Sequence, residues 1–171
     1  MPISIIVIPG IALALGALFG CGSTPKNEIR LASVEAPFVE YVERFNKDAR
    51  SEFVAVDTSM ITIQMVDEIP MRGNYYIMGD CQAQTQSIRV NQKFWDTFTE
   101  HCREQLIYHE LGHCVLDRGH SHDKMVYGGR TLPATLMAPV GLPCNLESAR
   151  HELSVKLRSK YVHELFHKGE F

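Results

Sequence analysis

The segment from Leu106 to Leu116 is the strongest constraint on how this chain can fold, because it places polar side chains in an otherwise apolar stretch. Its one charged residue is Glu110, and His109 and His113 stand on either side of that glutamate in the pentapeptide HELGH. A helix that is apolar nearly all round is a buried helix. Burying two imidazoles and a carboxylate without partners is costly, and a bound cation offsets that cost. We therefore predict a buried helix whose two histidines, one turn apart, bind a metal ion.

The same five-residue pattern occurs again near the end of the chain, as HELFH from His163 to His167. On a helical wheel these two histidines lie on the charged stripe of the last helix, which also carries Glu152, Lys156 and Lys160. The apolar stripe of that helix comprises Leu146, Ala149, Leu153, Leu157, Tyr161 and Leu165. HELFH is therefore predicted to face water, where its histidines meet the negative end of the helix dipole and bind no metal.

Two histidines do not complete a catalytic zinc site, which typically has three protein ligands and a water. The central helix must therefore end and the chain must turn back to supply the third ligand. Gly119 provides a stop signal, and His120 follows it immediately. We predict His120 as the third ligand. The alternatives that the sequence leaves open are His122, Asp123, Glu147 and Glu152.

The stretch from His109 to Ser121, HELGHCVLDRGHS, resembles the HExxHxxGxxH signature of metzincin metalloproteases. The serine after its last histidine is similar to that of the matrixin branch. Downstream, TLMAP resembles the matrixin Met-turn, with Met137 as its methionine. HELGHC, LMAP and the closing Tyr161–Phe166 segment are also similar to a group of small bacterial envelope metallopeptidases. Two positions differ from the signature: Leu116 replaces its glycine, and His120 comes one residue late.

This resemblance implies a zinc-dependent endopeptidase that hydrolyses peptide bonds in proteins or peptides. His109, His113 and His120 would bind Zn²⁺, and Glu110 would act as the base that deprotonates the attacking water. Met137 would lie beneath the metal. The alternatives are a non-catalytic envelope lipoprotein that keeps zinc for its stability, and a metal-dependent amidase acting on cell-wall peptides. We expect a monomer, and the net charge of −3 argues against a nucleic-acid surface.

The first twenty residues contain no charged side chain and are followed directly by Cys21. An apolar run that ends in small residues at a cysteine is typical of a secretory signal, and LFGC is similar to the lipobox of bacterial lipoproteins. We therefore predict a signal peptide at 1–20, lipidation of Cys21, a tether at 21–35 and a metzincin-like domain at 36–171. The domain would be anchored to a membrane of the bacterial cell envelope by its lipid. A retained membrane anchor is the alternative, because the run is barely long enough to span a bilayer.

The four remaining cysteines, Cys81, Cys102, Cys114 and Cys144, would lie in an oxidising compartment, where two disulfides are expected. Cys102 and Cys114 share the central helix, and twelve residues separate them by roughly 18 Å. A disulfide needs Cα atoms within about 7 Å, so these two cannot pair. We favour Cys81–Cys102 with Cys114–Cys144. The crossed arrangement, Cys81–Cys114 with Cys102–Cys144, stays open.

Periodicity and turn residues predict an α+β fold with a small mixed sheet. An N-terminal helix is expected at 37–49, behind Pro37, and strands at 52–56, 60–66, 75–79 and 86–90. A capping box from Thr97 to Glu100 would start the buried, metal-binding helix. Residues 117–145 lack periodicity and are expected to form a long functional loop. A C-terminal helix would run from about Asn145 to His167.

Overall fold

The computed structural model describes residues 33–139 and 155–169. The helices are α1 (Ala36–Ser51), α2 (Gln92–Trp95), α3 (Glu100–Cys114) and α4 (Arg158–Phe166). The strands are β1 (Ser33–Val34), β2 (Thr62–Val66), β3 (Gly79–Gln82), β4 (Ser87–Asn91), β5 (Lys124–Tyr127) and β6 (Arg130–Pro133). None of the helices in these two ranges is long and apolar enough to cross a membrane. The predicted signal peptide, Cys21, Cys144, Glu147 and Glu152 lie outside the described residues.

The central sheet has four strands in the order β1-β2-β4-β3. β1, β2 and β4 run parallel, with Ile63 opposite Ile88, whereas β3 pairs antiparallel with β4 and places Cys81 opposite Ile88. The predicted α+β fold with a small mixed sheet is therefore confirmed. α1 provides the crossover between the parallel strands β1 and β2, and α3 follows β4 and packs against β3 and β4.

Two of the predicted strands are wrong. Residues 52–56 do not form a strand, because α1 continues to Ser51 and the N–H of Val54 donates back to the carbonyl of Ala49 at 2.9 Å. Residues 75–79 do not form one either, since Tyr75 pairs with Arg72 across a tight turn and β3 starts only at Gly79. A short run of β-forming residues becomes a strand only where a partner strand lies beside it. Within the described chain residues 52–56 have no such partner, and in the second run only Gly79 pairs with one, opposite Val90 of β4.

The core lies where α1 and α3 pack together against the sheet. Phe38, Val42 and Phe45 of α1 are fully buried, which confirms the predicted apolar face of that helix. Ile61 and Ile63 are also buried, which confirms the predicted alternation at the start of β2. Further fully buried core side chains come from α1, the sheet, α3, α4 and the segment before residue 138: Tyr41, Ala49, Ile88, Val90, Ile107, Tyr108, Leu111, Met137, Tyr161 and Leu165.

The start of α3 differs from the predicted capping box. The N-cap is Thr99, whose hydroxyl accepts a hydrogen bond from the N–H of Cys102 at 3.4 Å. The hydroxyl of Thr97 instead donates to the carbonyl of Phe94, at the end of the short helix α2. Thr97 thus closes the end of α2 and does not cap α3. As a result, α3 begins two residues later than it would with Thr97 as its N-cap.

One partly buried ion-pair network fixes α4 against the rest of the domain. The guanidinium of Arg158, at the start of α4, donates to Glu104 of α3 at 2.7 Å and to Asp48 of α1 at 2.7 Å. Glu104 is only 4% exposed and also accepts from Arg44 of α1. A buried carboxylate needs such partners, because an unpaired charge in the interior is costly. The network therefore ties α1, α3 and α4 together.

The disulfide links Cys81 to Cys114, with their Cα atoms 5.7 Å apart. The favoured pairing of Cys81 with Cys102 is therefore wrong, and the Cys81–Cys114 bridge of the crossed arrangement is found instead. Cys102 is buried in the core. The direction of α3 explains the difference. The sulfur of Cys114 lies 4.0 Å from the carbonyl of Ser87, so the C-terminal end of α3 lies over the start of β4, where Cys81 also lies. Cys102, three turns earlier, is too far away.

Part of the predicted irregular loop at 117–145 is a hairpin. β5 and β6 pair antiparallel, with Val126 opposite Thr131. Gly128 and Gly129 join the strands and both have positive φ, at 58° and 75°. A two-residue hairpin turn of this kind favours glycine, which adopts positive φ without steric cost. The hairpin separates His120 from the segment that contains Met137.

Candidate metal centre

The predicted helix carries its two histidines on one face, as the four-residue spacing requires. His109 and His113 lie in the last two turns of α3, with ring centroids 4.7 Å apart. His109 is 8% exposed and Glu110 is 3% exposed, so both are buried within an apolar helix, whereas His113 is half-buried. The prediction of a buried helix that carries these groups is confirmed.

The chain reverses after α3 and brings His120 back to the same place. The helix ends at Cys114, and the N–H of Arg118 donates to the carbonyl of Gly112 at 2.9 Å, which closes the turn. The residue with positive φ in this turn is Asp117, at 50°. Gly119, the expected stop, is not in the left-handed region. A left-handed aspartate is uncommon but tolerated, because its short polar side chain is compatible with that backbone.

The three imidazoles converge on one point. Their Nε2 atoms are separated by 3.1 Å between His113 and His109, 3.1 Å between His113 and His120, and 3.3 Å between His120 and His109. A tetrahedral zinc ion with Zn–N distances of about 2.0–2.1 Å holds its ligand atoms about 3.3–3.4 Å apart. The group formed by His109, His113 and His120 could therefore hold a metal ion in the geometry that their spacing predicts.

The hydrogen bonds of the Nδ1 atoms determine the tautomers of His109 and His113. The Nδ1 atoms of His109 and His113 each lie 2.6 Å from a backbone carbonyl, that of Leu136 and that of Arg118. A carbonyl can only accept, so both Nδ1 atoms carry the proton and both Nε2 atoms present lone pairs. Lone pairs that face each other at 3.1 Å repel unless a cation lies between them. Carbonyl partners of this kind are also typical of metal-binding histidines.

The electrostatics of the site favour neutral rings at His109 and His120. The pKa of His109 is lowered to about 4, mainly by burial and also by the neighbouring His113 and His120, against the hydrogen bond to Leu136. Burial also lowers the pKa of His120, as does the nearby His113. Neutral imidazole is the form that binds a metal, since the protonated ring has no lone pair to donate.

Glu110 lies beside the triad and against the edge strand β3. Its carboxylate accepts a hydrogen bond from the backbone N–H of Cys81. The pKa of Glu110 is raised to about 8, mainly by burial and also by the negative charge of Asp80, while Arg72 and the Cys81 N–H act in the opposite direction. A Cβ at Gly79 would come within 3.2 Å of the Glu110 side chain. The glycine therefore leaves room for the carboxylate next to the strand.

The segment around Met137 contacts the residues that carry the triad. The carbonyl of Leu136 accepts from His109, and the carbonyl of Met137 accepts from the N–H of Ser121 at 2.9 Å, directly after His120. The N–H of Met137 in turn donates to the hydroxyl of Thr135 at 3.0 Å. The side chain of Met137 is fully buried against Gly112. One short segment thus contacts both the helix and the loop that supply the histidines.

Gly112 is the position where this packing is most sensitive. A Cβ there would meet the sulfur of Met137 at 2.5 Å and Leu165 at 3.1 Å. Gly112→Ala gains about 0.8–1 kcal/mol of helix propensity, but overpacking of this kind costs about 1–3 kcal/mol. We expect a net loss of stability of up to about 2 kcal/mol, measured by urea denaturation, because the backbone of Met137 is anchored and cannot simply retreat.

Gly119→Ala is the matched control for that substitution. A Cβ at Gly119 would have no neighbour within 4 Å, and its backbone is not left-handed. Its unfolding free energy should therefore stay the same or rise slightly. Equal effects of the two substitutions would contradict the packing of Met137 against Gly112.

Sequence reasoning missed the residues that hold the loop between His113 and His120. The guanidinium of Arg118 donates to the carboxylate of Glu164 at 2.5 Å and to the carbonyls of Glu164 and Leu165 at 2.8 and 2.6 Å. Both charges are buried, with side chains 9% and 4% exposed. The carbonyl of the same arginine accepts from His113. The Arg118–Glu164 ion pair therefore positions the carbonyl of Arg118, which orients the ring of His113.

The prediction that HELFH faces water is therefore wrong in part. Glu164, its central glutamate, is 3% exposed. His163 and His167 are half-buried and both contact Glu52, at the end of α1. The sequence did contain a sign that Glu164 is buried, because this residue directly precedes Leu165, a member of the apolar stripe of the helix. Its partner, 46 residues earlier in the chain, could not be identified from that stripe.

His122 and Asp123, the other third-ligand candidates that lie in the described part of the chain, do not join the triad. His122 is exposed, and Asp123 accepts from the hydroxyl of Ser121 at 2.6 Å. Within the described residues the metal-competent group at this site is His109, His113 and His120. Comparison of the chain with protein-family models, with curated proteins and with solved structures returned no match.

Proposed function

We propose that this chain is a zinc-dependent endopeptidase of the metzincin type. The observation that carries the proposal is the convergence of three imidazole Nε2 atoms within 3.3 Å of one another, with Glu110 next to the first ligand in the chain. The resemblance of HELGHCVLDRGHS to the metzincin signature predicts this same set of residues.

Zinc fits this donor set better than other common cations. Neutral imidazoles suit zinc and other late transition metals, whereas magnesium and calcium prefer oxygen ligands. Three protein ligands are typical of catalytic zinc, and four are typical of structural zinc. When bound, zinc polarises the substrate carbonyl and lowers the pKa of a water molecule.

Glu110 is the residue we assign to proton transfer. It would take the proton of the attacking water and deliver it to the amine that leaves when the peptide bond breaks. Its carboxylate is held in place by the N–H of Cys81, and its methylene carbons pack against Gly79. A fixed position suits this role, because a general base must lie within hydrogen-bonding distance of the proton that it takes.

The edge of the sheet favours a peptide as the substrate. Within the described residues β3 pairs with β4 only, so its outer edge has no strand neighbour there. An extended peptide can bind such an edge by adding a strand. Glu110 lies against this strand at Gly79, so a peptide bound along β3 would pass beside the base.

The proposal is tested by incubating the purified full chain with zinc and casein and identifying fragments by mass spectrometry. We expect new peptide termini that disappear with 1,10-phenanthroline and return when zinc is added back. Purified peptidoglycan is the parallel substrate. Cleavage of peptidoglycan alone would indicate the amidase, and bound zinc with neither substrate cleaved would indicate a structural role. Either result would overturn the endopeptidase assignment.

A further inference from the structure

A second group of possible metal ligands lies where the ends of α1 and α4 meet. We call it the helix-end cluster, and it consists of Glu52, His163 and His167. Nδ1 of His163 lies 2.8 Å from Oε2 of Glu52, and Nε2 of His167 lies 3.3 Å from the same oxygen. The two rings come from adjacent turns of one helix, with centroids 4.7 Å apart. The cluster shares no residue with the triad.

The spacing of these atoms is compatible with a shared ion. One ligand atom from each of the three side chains lies within 4.8 Å of the other two, and the two distances from Glu52 to the imidazoles, 2.8 and 3.3 Å, need to lengthen by at most about 0.5 Å to reach the ligand spacing of about 3.3 Å expected around zinc. The side chains are 24% exposed for Glu52, 44% for His163 and 28% for His167. They are thus held by packing on one side and open to water on the other, so water could complete the coordination.

The backbone around the cluster favours a cation. Glu52 is the C-cap of α1 and His167 is the C-cap of α4. The last carbonyls of a helix carry partial negative charge, so two helix ends of the same sign meet here. The carbonyl of Glu52 also lies 3.1 Å from Nε2 of His167, and this hydrogen bond must be given up when that nitrogen binds an ion. A divalent ion would offset the charge of the carboxylate and of both helix ends.

We propose that the helix-end cluster is a second zinc site, whose role is to link two helices. Two imidazole nitrogens and one carboxylate oxygen select zinc and similar transition metals over magnesium or calcium. An ion there would cross-link the end of α1 to the C-terminal helix. That helix also carries Glu164, which holds Arg118 and so the loop between His113 and His120. The second ion would therefore stabilise the element that supports the triad.

The test uses the full chain with one triad ligand removed, so that zinc bound to the cluster is counted alone. His113→Ala, loaded with zinc and dialysed, should retain about one zinc per chain by elemental analysis. Adding His163→Ala or Glu52→Gln to that variant should remove the zinc, whereas adding Lys156→Ala, an exposed position just before α4, should not. Zinc should also raise the Tm of His113→Ala and leave that of His113→Ala/His163→Ala unchanged.

Two results would overturn the second site. The first is a folded His113→Ala chain that retains no zinc. The second is a His113→Ala/His163→Ala chain that retains as much zinc as His113→Ala. Glu52→Gln keeps the size of the side chain and can still hydrogen-bond, so full zinc retention in His113→Ala/Glu52→Gln would mean that the cluster is only a hydrogen-bonded contact. Circular dichroism confirms folding in each case. None of these results depends on peptidase activity.

Discussion

Replacing Glu110 by glutamine is expected to reduce peptide hydrolysis by about 10²- to 10⁴-fold, the usual contribution of a general base. Glutamine has the same shape and cannot accept a proton at neutral pH. The shape matters because Glu110 is 3% exposed and its side chain packs against Gly79, so a smaller residue would leave a cavity and disturb the edge strand. The zinc content should be unchanged, since the three imidazoles are intact.

The measurement pairs kcat on a cleaved peptide with zinc content by elemental analysis in the same sample. Glu68→Gln, an exposed carboxylate away from α3 in the sequence, is the matched control and should retain full activity. A Glu110→Gln chain that hydrolyses peptide at the wild-type rate would remove the glutamate from the mechanism. A chain that loses both zinc and activity would instead show that this carboxylate helps to form the metal centre.

Replacing His120 by alanine is expected to weaken zinc binding at the triad by at least about 10²-fold. Structural zinc sites bind with roughly 10–16 kcal/mol in total, so one of three protein ligands is worth roughly 3–5 kcal/mol. Hydrolysis should fall with the loss of metal. His109 and His113 remain on α3, so the helix itself should persist, and any residual binding would come from those two rings.

His122→Ala is the control for this substitution. It removes an exposed histidine two residues further on, and the triad does not include it. Competition with a zinc-sensitive dye gives both affinities. Weakened binding in His122→Ala with normal binding in His120→Ala would show that the loop supplies a different ligand. Because the helix-end cluster is proposed to bind a second ion, both titrations are best repeated with His163→Ala added.

The late position of His120 relative to the metzincin signature has a structural explanation. The signature has a glycine where this chain has Leu116, and its third histidine comes one residue earlier. Here the helix ends at Cys114, and Asp117 adopts the left-handed conformation that turns the chain. The N–H of Arg118 then bonds to Gly112. The turn takes up the additional residue, so the imidazole still reaches within 3.1 Å of His113.

The two HExxH matches show which burial predictions can be made from helical periodicity and which cannot. Periodicity alone correctly placed HELGH in a buried helix, because the residues from Leu106 to Leu116 leave no polar face. The same reasoning placed Leu157, Tyr161 and Leu165 in the core, and they are buried. It failed for Glu164, because burial of that carboxylate depends on Arg118, which arrives from a distant loop.

What the sequence determined by itself is what neighbouring residues encode: the apolar face of α1, the strands β2 and β4, the helix with its two histidines, and the candidate third histidine after the turn. What only the tertiary structure decided is which distant groups meet. Cys81 pairs with Cys114 because α3 runs back over the start of β4, and Glu52 lies beside His163 because α1 and α4 end at the same place. Helix and strand periods repeat every few residues and can be read locally. The direction in which one element crosses another follows from packing of the whole core, which no short segment contains.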